Sequence, residues 1–120
     1  MTVPGEAKSR RLLKNLLSTY CENVKVVGEA DSVQTGLTII KEQNPDLVFL
    51  DIVLRNDNGF DILKKIDSIN FEIIFTTAHN EYAIKAIRVS ALDYLLKPLN
   101  VDELTRAVEK VNEKMKKPLI

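Results

Sequence analysis

Two periodicities divide this chain. Over residues 6–20 the apolar positions are Leu12, Leu13, Leu16, Leu17 and Tyr20, with charged residues between them. That spacing predicts an amphipathic helix. Residues 32–44 place Val33, Leu37 and Ile40 on one helical face. Ser32 is the candidate N-cap, and Pro45, which cannot continue a helix, is the stop. Residues 60–69 and 80–90 read as shorter helices, the second with Asn80 able to cap it. Residues 101–117 carry Val101, Leu104, Val108, Val111 and Met115 on one stripe before Pro118.

Between these helices lie short apolar runs. "VKVVGEA" (24–30) is rich in valine, which favours a strand. "DLVFLD" (46–51), "FEIIFTTA" (71–78) and "LDYLLK" (92–97) are almost continuously apolar. Such runs predict strands covered on both faces. "RNDNG" (55–59) is a cluster of turn formers. Strict alternation of helix and short apolar strand predicts an α/β class: a doubly wound parallel sheet with helices on both faces. One irregularity stands out. The first clear element is a helix, where this class ordinarily opens on a strand.

Composition adds limits. The 120 residues are 45% hydrophobic and 28% charged, and Lys+Arg and Asp+Glu are both 17. These values suit one domain with its own core and give no charge-based argument for nucleic acid or membrane binding. No apolar run approaches a membrane span and no signal-peptide pattern opens the chain. Cys21, the one cysteine, allows no internal disulfide and fits a reducing, cytoplasmic setting. It reads as a packed residue rather than a reactive thiol.

In a parallel α/β sheet, ligands bind beyond the carboxyl ends of the strands. The predicted strands end on Asp51, on Thr76 and Thr77, and on Lys97 before Pro98. A carboxylate can attack a phosphoryl group, a lysine can neutralise the phosphate, and a hydroxyl can hydrogen-bond one of its oxygens. Polar residues at strand ends are common in themselves, and threonine suits strands, so the weight rests on the combination. Thr76 is assigned to the core or to strand pairing. His79 is the one histidine and by itself makes no metal site.

"LVFLDIVL" with Gly59, then "IIFTTA", then "DYLLKP" resemble, in that order, the receiver domain of bacterial two-component response regulators. "NEYAIKAIRVSALDYLLKP" is most similar to receivers of the LytR/AlgR type, whose effector is a LytTR DNA-binding domain. The resemblance runs from about Glu6 to Lys116. It implies that Asp51 is the phosphoacceptor for a sensor histidine kinase, Thr77 the switch hydroxyl, Lys97 the phosphate-contacting lysine and Tyr94 the switch aromatic. It also implies a cis peptide between Lys97 and Pro98. Tyr94 reads equally well as a packed aromatic. The expected organisation is a residual N-terminal segment (1–5), a receiver domain (6–117) and the start of a linker (118–120). The DNA-binding effector lies outside this chain. Leu54 and Arg55 stand where many members have Met-Pro.

The resemblance also implies Mg²⁺, held by Asp51, by the backbone carbonyl of Val53 and by an acidic pair that ends the first strand. Here that pair falls on Pro4 and Gly5, which have no carboxylate, and Glu6 is only a weak replacement. Mg²⁺ binding is therefore expected to be impaired. Met1, Thr2 and Val3 alone remain for the first strand, which is expected to be missing or truncated. In the family that strand lies between those predicted at 24–30 and 46–51. Its loss leaves apolar strand edges open, and the expectation is a homodimer through altered or exchanged strands. The leading function is a phosphorylation-regulated receiver, with no catalysis beyond its own phosphorylation and dephosphorylation. The alternative is a phosphorylation-independent pseudo-receiver that serves as an interaction or dimerisation module. A small-molecule-binding flavodoxin-like domain is disfavoured, because no Gly-rich phosphate loop is visible.

Overall fold

The computed structural model describes residues 2–3, 7–30, 32–51, 63–66, 69–78 and 91–116. The chain forms β1 (Thr2–Val3), α1 (Ala7–Tyr20), α2 (Val33–Gln43), β2 (Leu47–Asp51), β3 (Glu72–Thr77), β4 (Asp93–Leu96) and α3 (Val101–Lys116). The sheet order among these is β1-β2-β3-β4, with every pairing parallel. The α/β class and the parallel sheet are those the periodicities predict.

The continuous apolar runs are explained by two cores. Val48 and Leu50 of β2, with Ile73 and Phe75 of β3, pack against Val33 and its neighbours on α2. Leu47 and Phe49, with Ile74 and Leu95, pack on the other face against Leu13 and Leu17 of α1 and Leu104, Val108 and Val111 of α3. Side chains alternate across a strand, so each strand needs apolar residues at successive positions to satisfy both layers. Burying one such leucine or isoleucine contributes on the order of 1.5–3 kcal/mol. On α1 the stripe is narrower than predicted. Leu13 and Leu17 are buried, whereas Leu12 and Tyr20 are exposed. On α3 the buried stripe also includes Ala107.

Helix ends follow local chemistry. The Ser32 hydroxyl accepts from the Thr35 amide at 3.2 Å and so caps α2. Asn44 takes the left-handed conformation at φ 46°, and its N–H donates to the Ile40 carbonyl at 3.0 Å. Asparagine tolerates that conformation better than most residues. Asn100 caps α3, its side-chain oxygen accepting from the amides of Asp102 and Glu103.

The strand predicted at 24–30 is a correction. Residues 24–28 join no ladder, and Glu29 takes part in an isolated bridge. Valine content favours a strand locally, but a strand exists only by pairing. β1, beside which it would lie, is described only at Thr2–Val3. β1 does lie against β2, with Thr2 opposite Phe49 and Val3 opposite Leu50. Among the described residues the first strand is thus present at Thr2–Val3. Of the helix predicted at 60–69, Leu63 and Lys64 are helical. The helix predicted at 80–90 lies outside the described residues.

Candidate functional site at the carboxyl edge of the sheet

β2 ends on Asp51, β3 on Thr77, and β4 one residue before Lys97. Parallel pairing puts all three ends at one edge. The Asp51 side chain is 7% exposed, and its Oδ2 lies 2.6 Å from Lys97 Nζ, whose side chain is 24% exposed. The carboxylate is thus held inside the edge while the ammonium keeps contact with water. A charge-assisted bond of this length offsets part of the cost of desolvating the carboxylate. Thr77 is fully buried. Its carbonyl accepts from the Lys97 amide at 2.7 Å, which fixes the lysine backbone against β3. The Lys97–Pro98 peptide is cis.

Thr76, expected in the core or in strand pairing, is in both. Asp51 is directly opposite Thr76, not Thr77. Thr76 is buried and pairs in turn with Leu95. A threonine pair at a strand end does not say which member faces the neighbouring strand's last residue. Only the relative offset of β2 and β3 decides it. Tyr94 lies in β4, half-buried, and packs against the core on the α2 side. Val53, Glu6 and His79 lie outside the described residues.

The arrangement is that of an open parallel α/β domain with a carboxylate, hydroxyls and an ammonium gathered at the strand carboxyl ends. The chain matches the response regulator receiver domain over residues 2–109 and belongs to that family. It is 42% identical over 113 residues to the sensory transduction protein LytT of Bacillus cereus, covering 92% of this chain and 45% of that protein. It is 38% identical over 117 residues to LytT of Enterococcus faecalis, covering 96% of this chain and 48% of the relative. The chain thus spans about half the length of the curated relatives it matches. Among solved structures it resembles the receiver domain of AraT, a response regulator from Geobacillus stearothermophilus. That similarity has a TM-score of 0.85 and 28% identity, covering 96% of this chain and 92% of the other. The response regulatory domain of mrkE from Klebsiella pneumoniae gives a TM-score of 0.84 and 26% identity, covering 94% and 93%. This chain is the receiver domain of a response regulator related to LytT and LytR. No helix among the described residues is long and apolar enough to cross a membrane.

Receiver domains typically bind Mg²⁺ for phosphorylation. A hard divalent cation seeks several oxygen ligands. Among the described residues no three His, Cys, Asp or Glu side chains come together as a metal site, and Asp51 is engaged with Lys97. Of the expected ligands Asp51 lies among the described residues, and Val53 and Glu6 lie outside them.

Proposed function

We propose that this domain accepts a phosphoryl group on Asp51 from a sensor histidine kinase and passes the resulting change to a DNA-binding effector outside this chain. The observation that carries the reading is the buried Asp51 carboxylate held 2.6 Å from Lys97 at the end of β2. A carboxylate oxygen attacks phosphorus, the bond from phosphorus to the donor's imidazole nitrogen breaks, and the imidazole leaves with that electron pair. Before transfer the lysine balances the carboxylate. Afterwards it is in reach of the phosphoryl oxygens, where its charge counts for more. Positioning and charge are most of what phosphoryl transfer asks of a protein. Thr77 is the hydroxyl proposed to follow the phosphate, and Tyr94 the aromatic proposed to respond. The related LytT proteins support the choice of effector as a LytTR-type domain acting in transcription.

The acidic pair that would share the metal is replaced by Pro4 and Gly5, and this supports weak Mg²⁺ binding and slow phosphorylation. It also supports a second reading, a phosphorylation-independent interaction module. Incubation with acetyl phosphate across a Mg²⁺ series, read by intact mass, separates the two. A phosphoryl adduct that rises with Mg²⁺ and is absent from Asp51→Asn supports the acceptor. No adduct at saturating Mg²⁺ sinks it and leaves the interaction module.

A further inference from the structure

Thr76 shares a face of the sheet with Asp51. Side chains alternate across a strand, so residues two positions apart lie on the same side. Phe49 and Ile74 stand opposite each other, and both pack in the core against α1 and α3. Asp51 and Thr76 are two positions further on and again opposite each other. Leu95, which pairs with Thr76 from the other side, lies in that same core. Asp51 and Thr76 therefore stand side by side, with relative exposures of 5% and 2%.

The Asp51–Lys97 contact spans the strand that carries Thr76. Asp51 ends β2, Lys97 follows β4, and β3 lies between them. Neighbouring strands are about 4.8 Å apart, so the two side chains meet across two such spacings, at the carboxyl end of β3. Lys97 Nζ takes one carboxylate oxygen, Oδ2. Among the described residues the Thr76 hydroxyl has no hydrogen-bond partner. A buried hydroxyl without a partner is costly, and valine has the same shape without that cost. Packing alone therefore does not account for a hydroxyl at this position.

We propose that Thr76 is a positioning residue for the phosphorylated state, acting through the Asp51 carboxyl group. This role rests on Asp51 being the phosphoacceptor. With a phosphoryl group on one carboxylate oxygen, Lys97 turns to the phosphoryl oxygens, and the other carboxyl oxygen becomes an acyl carbonyl in need of a donor. The Thr76 hydroxyl, one strand spacing away on the same face, donates to it over about 2.7 Å. The bond counts most when the phosphoryl group is lost. Water attacks phosphorus, the bond from phosphorus to the Asp51 oxygen breaks, and its electron pair returns to the carboxylate. The protons of the water go to the phosphate and to solvent. Negative charge spreads over both carboxylate oxygens as the bond breaks, so a donor already aimed at the second oxygen favours the transition state. Thr76 thus shortens the life of the phosphorylated domain.

The test compares the full chain with Thr76→Val, which keeps the branched shape and removes the hydroxyl, and with Thr76→Ser, which keeps the hydroxyl and removes the methyl. Each protein is labelled with acetyl phosphate at saturating Mg²⁺ and desalted, and the decay of its phosphoryl adduct is followed by intact mass. Decay should slow at least about fivefold in Thr76→Val and stay within about twofold of the parent in Thr76→Ser. The urea midpoint should fall in Thr76→Ser and hold or rise in Thr76→Val. Decay then follows the hydroxyl while stability follows the methyl, a split that a merely structural role would not produce. An adduct that decays as fast or faster in Thr76→Val overturns the proposal, as does a Thr76→Ser adduct that decays like that of Thr76→Val. No adduct on the parent overturns the acceptor reading and this role with it.

Discussion

Lys97 Nζ lies 2.6 Å from Asp51 Oδ2 although 46 positions separate the two in sequence. The contact exists because β2, β3 and β4 run parallel and end at one level. The two members are unequally exposed, so they are unequal in what their removal leaves behind. Lys97→Met takes a charge-assisted partner from a buried carboxylate and should destabilise the domain by about 1–3 kcal/mol. Asp51→Asn leaves a lysine that can turn to water and should cost less. In the double variant the loss should be smaller than the sum of the single losses. Urea denaturation of the four proteins measures this coupling, and strict additivity would show that the pair is not an interacting unit.

Restoring carboxylates at positions 4 and 5 should restore metal binding. Pro4→Asp with Gly5→Asp adds two hard oxygen donors where this sequence has none. The Mg²⁺ concentration that half-saturates acetyl-phosphate labelling should fall by at least about tenfold, or roughly 1.4 kcal/mol. An unchanged midpoint would mean that the metal is bound elsewhere or not used.

Gly28 marks a close approach between the 24–30 segment and α2. A Cβ built there would stand 2.6 Å from Ile39 Cγ2. That methyl belongs to a β-branched side chain with little rotamer freedom. Gly28→Ala should therefore cost about 1–3 kcal/mol through overpacking. Combined with Ile39→Ala, which removes the methyl, it should cost little more than Ile39→Ala alone. Thermal unfolding of the three variants checks this.

Cys21 is buried in the α1–α3 core, and burial pushes its thiol above the usual range. Folding thus favours the protonated form. The stability that follows is fully present below the unfolded thiol's pKa of about 8.5 and is lost as pH rises through the higher folded value. The urea midpoint should fall on the alkaline side, and Cys21→Ala should flatten that part of the profile. Iodoacetamide should modify the native thiol more slowly than it modifies the unfolded one.

Much of the fold was legible because the two-sided burial of β2 and β3 leaves unmistakable apolar runs. Their shared edge follows from alternation with helices, so the approach of Asp51 and Lys97 could be anticipated, though not the distance. What could not be read locally depends on neighbours. The valines at 24–27 express a preference that pairing alone can satisfy, and no run of valines records its partner. The exposure of Leu12 and Tyr20 reflects how narrow a strip of α1 the sheet covers. Thr76 opposite Asp51 depends on strand offset, which no single strand records.

Two other ion pairs sit at the far end of the sheet. Lys110 meets Asp93 at the start of β4, and Lys114 meets Glu72 at the start of β3, each at 3.0 Å, with both lysines more than half exposed. They moor the last helix to the strands from outside. Mobile ions screen such contacts readily, with a Debye length of about 8 Å at physiological ionic strength, but reach a buried carboxylate far less. Ionic strength therefore divides the molecule along its strands. Brine loosens the moorings of the last helix and leaves the Asp51–Lys97 end closed.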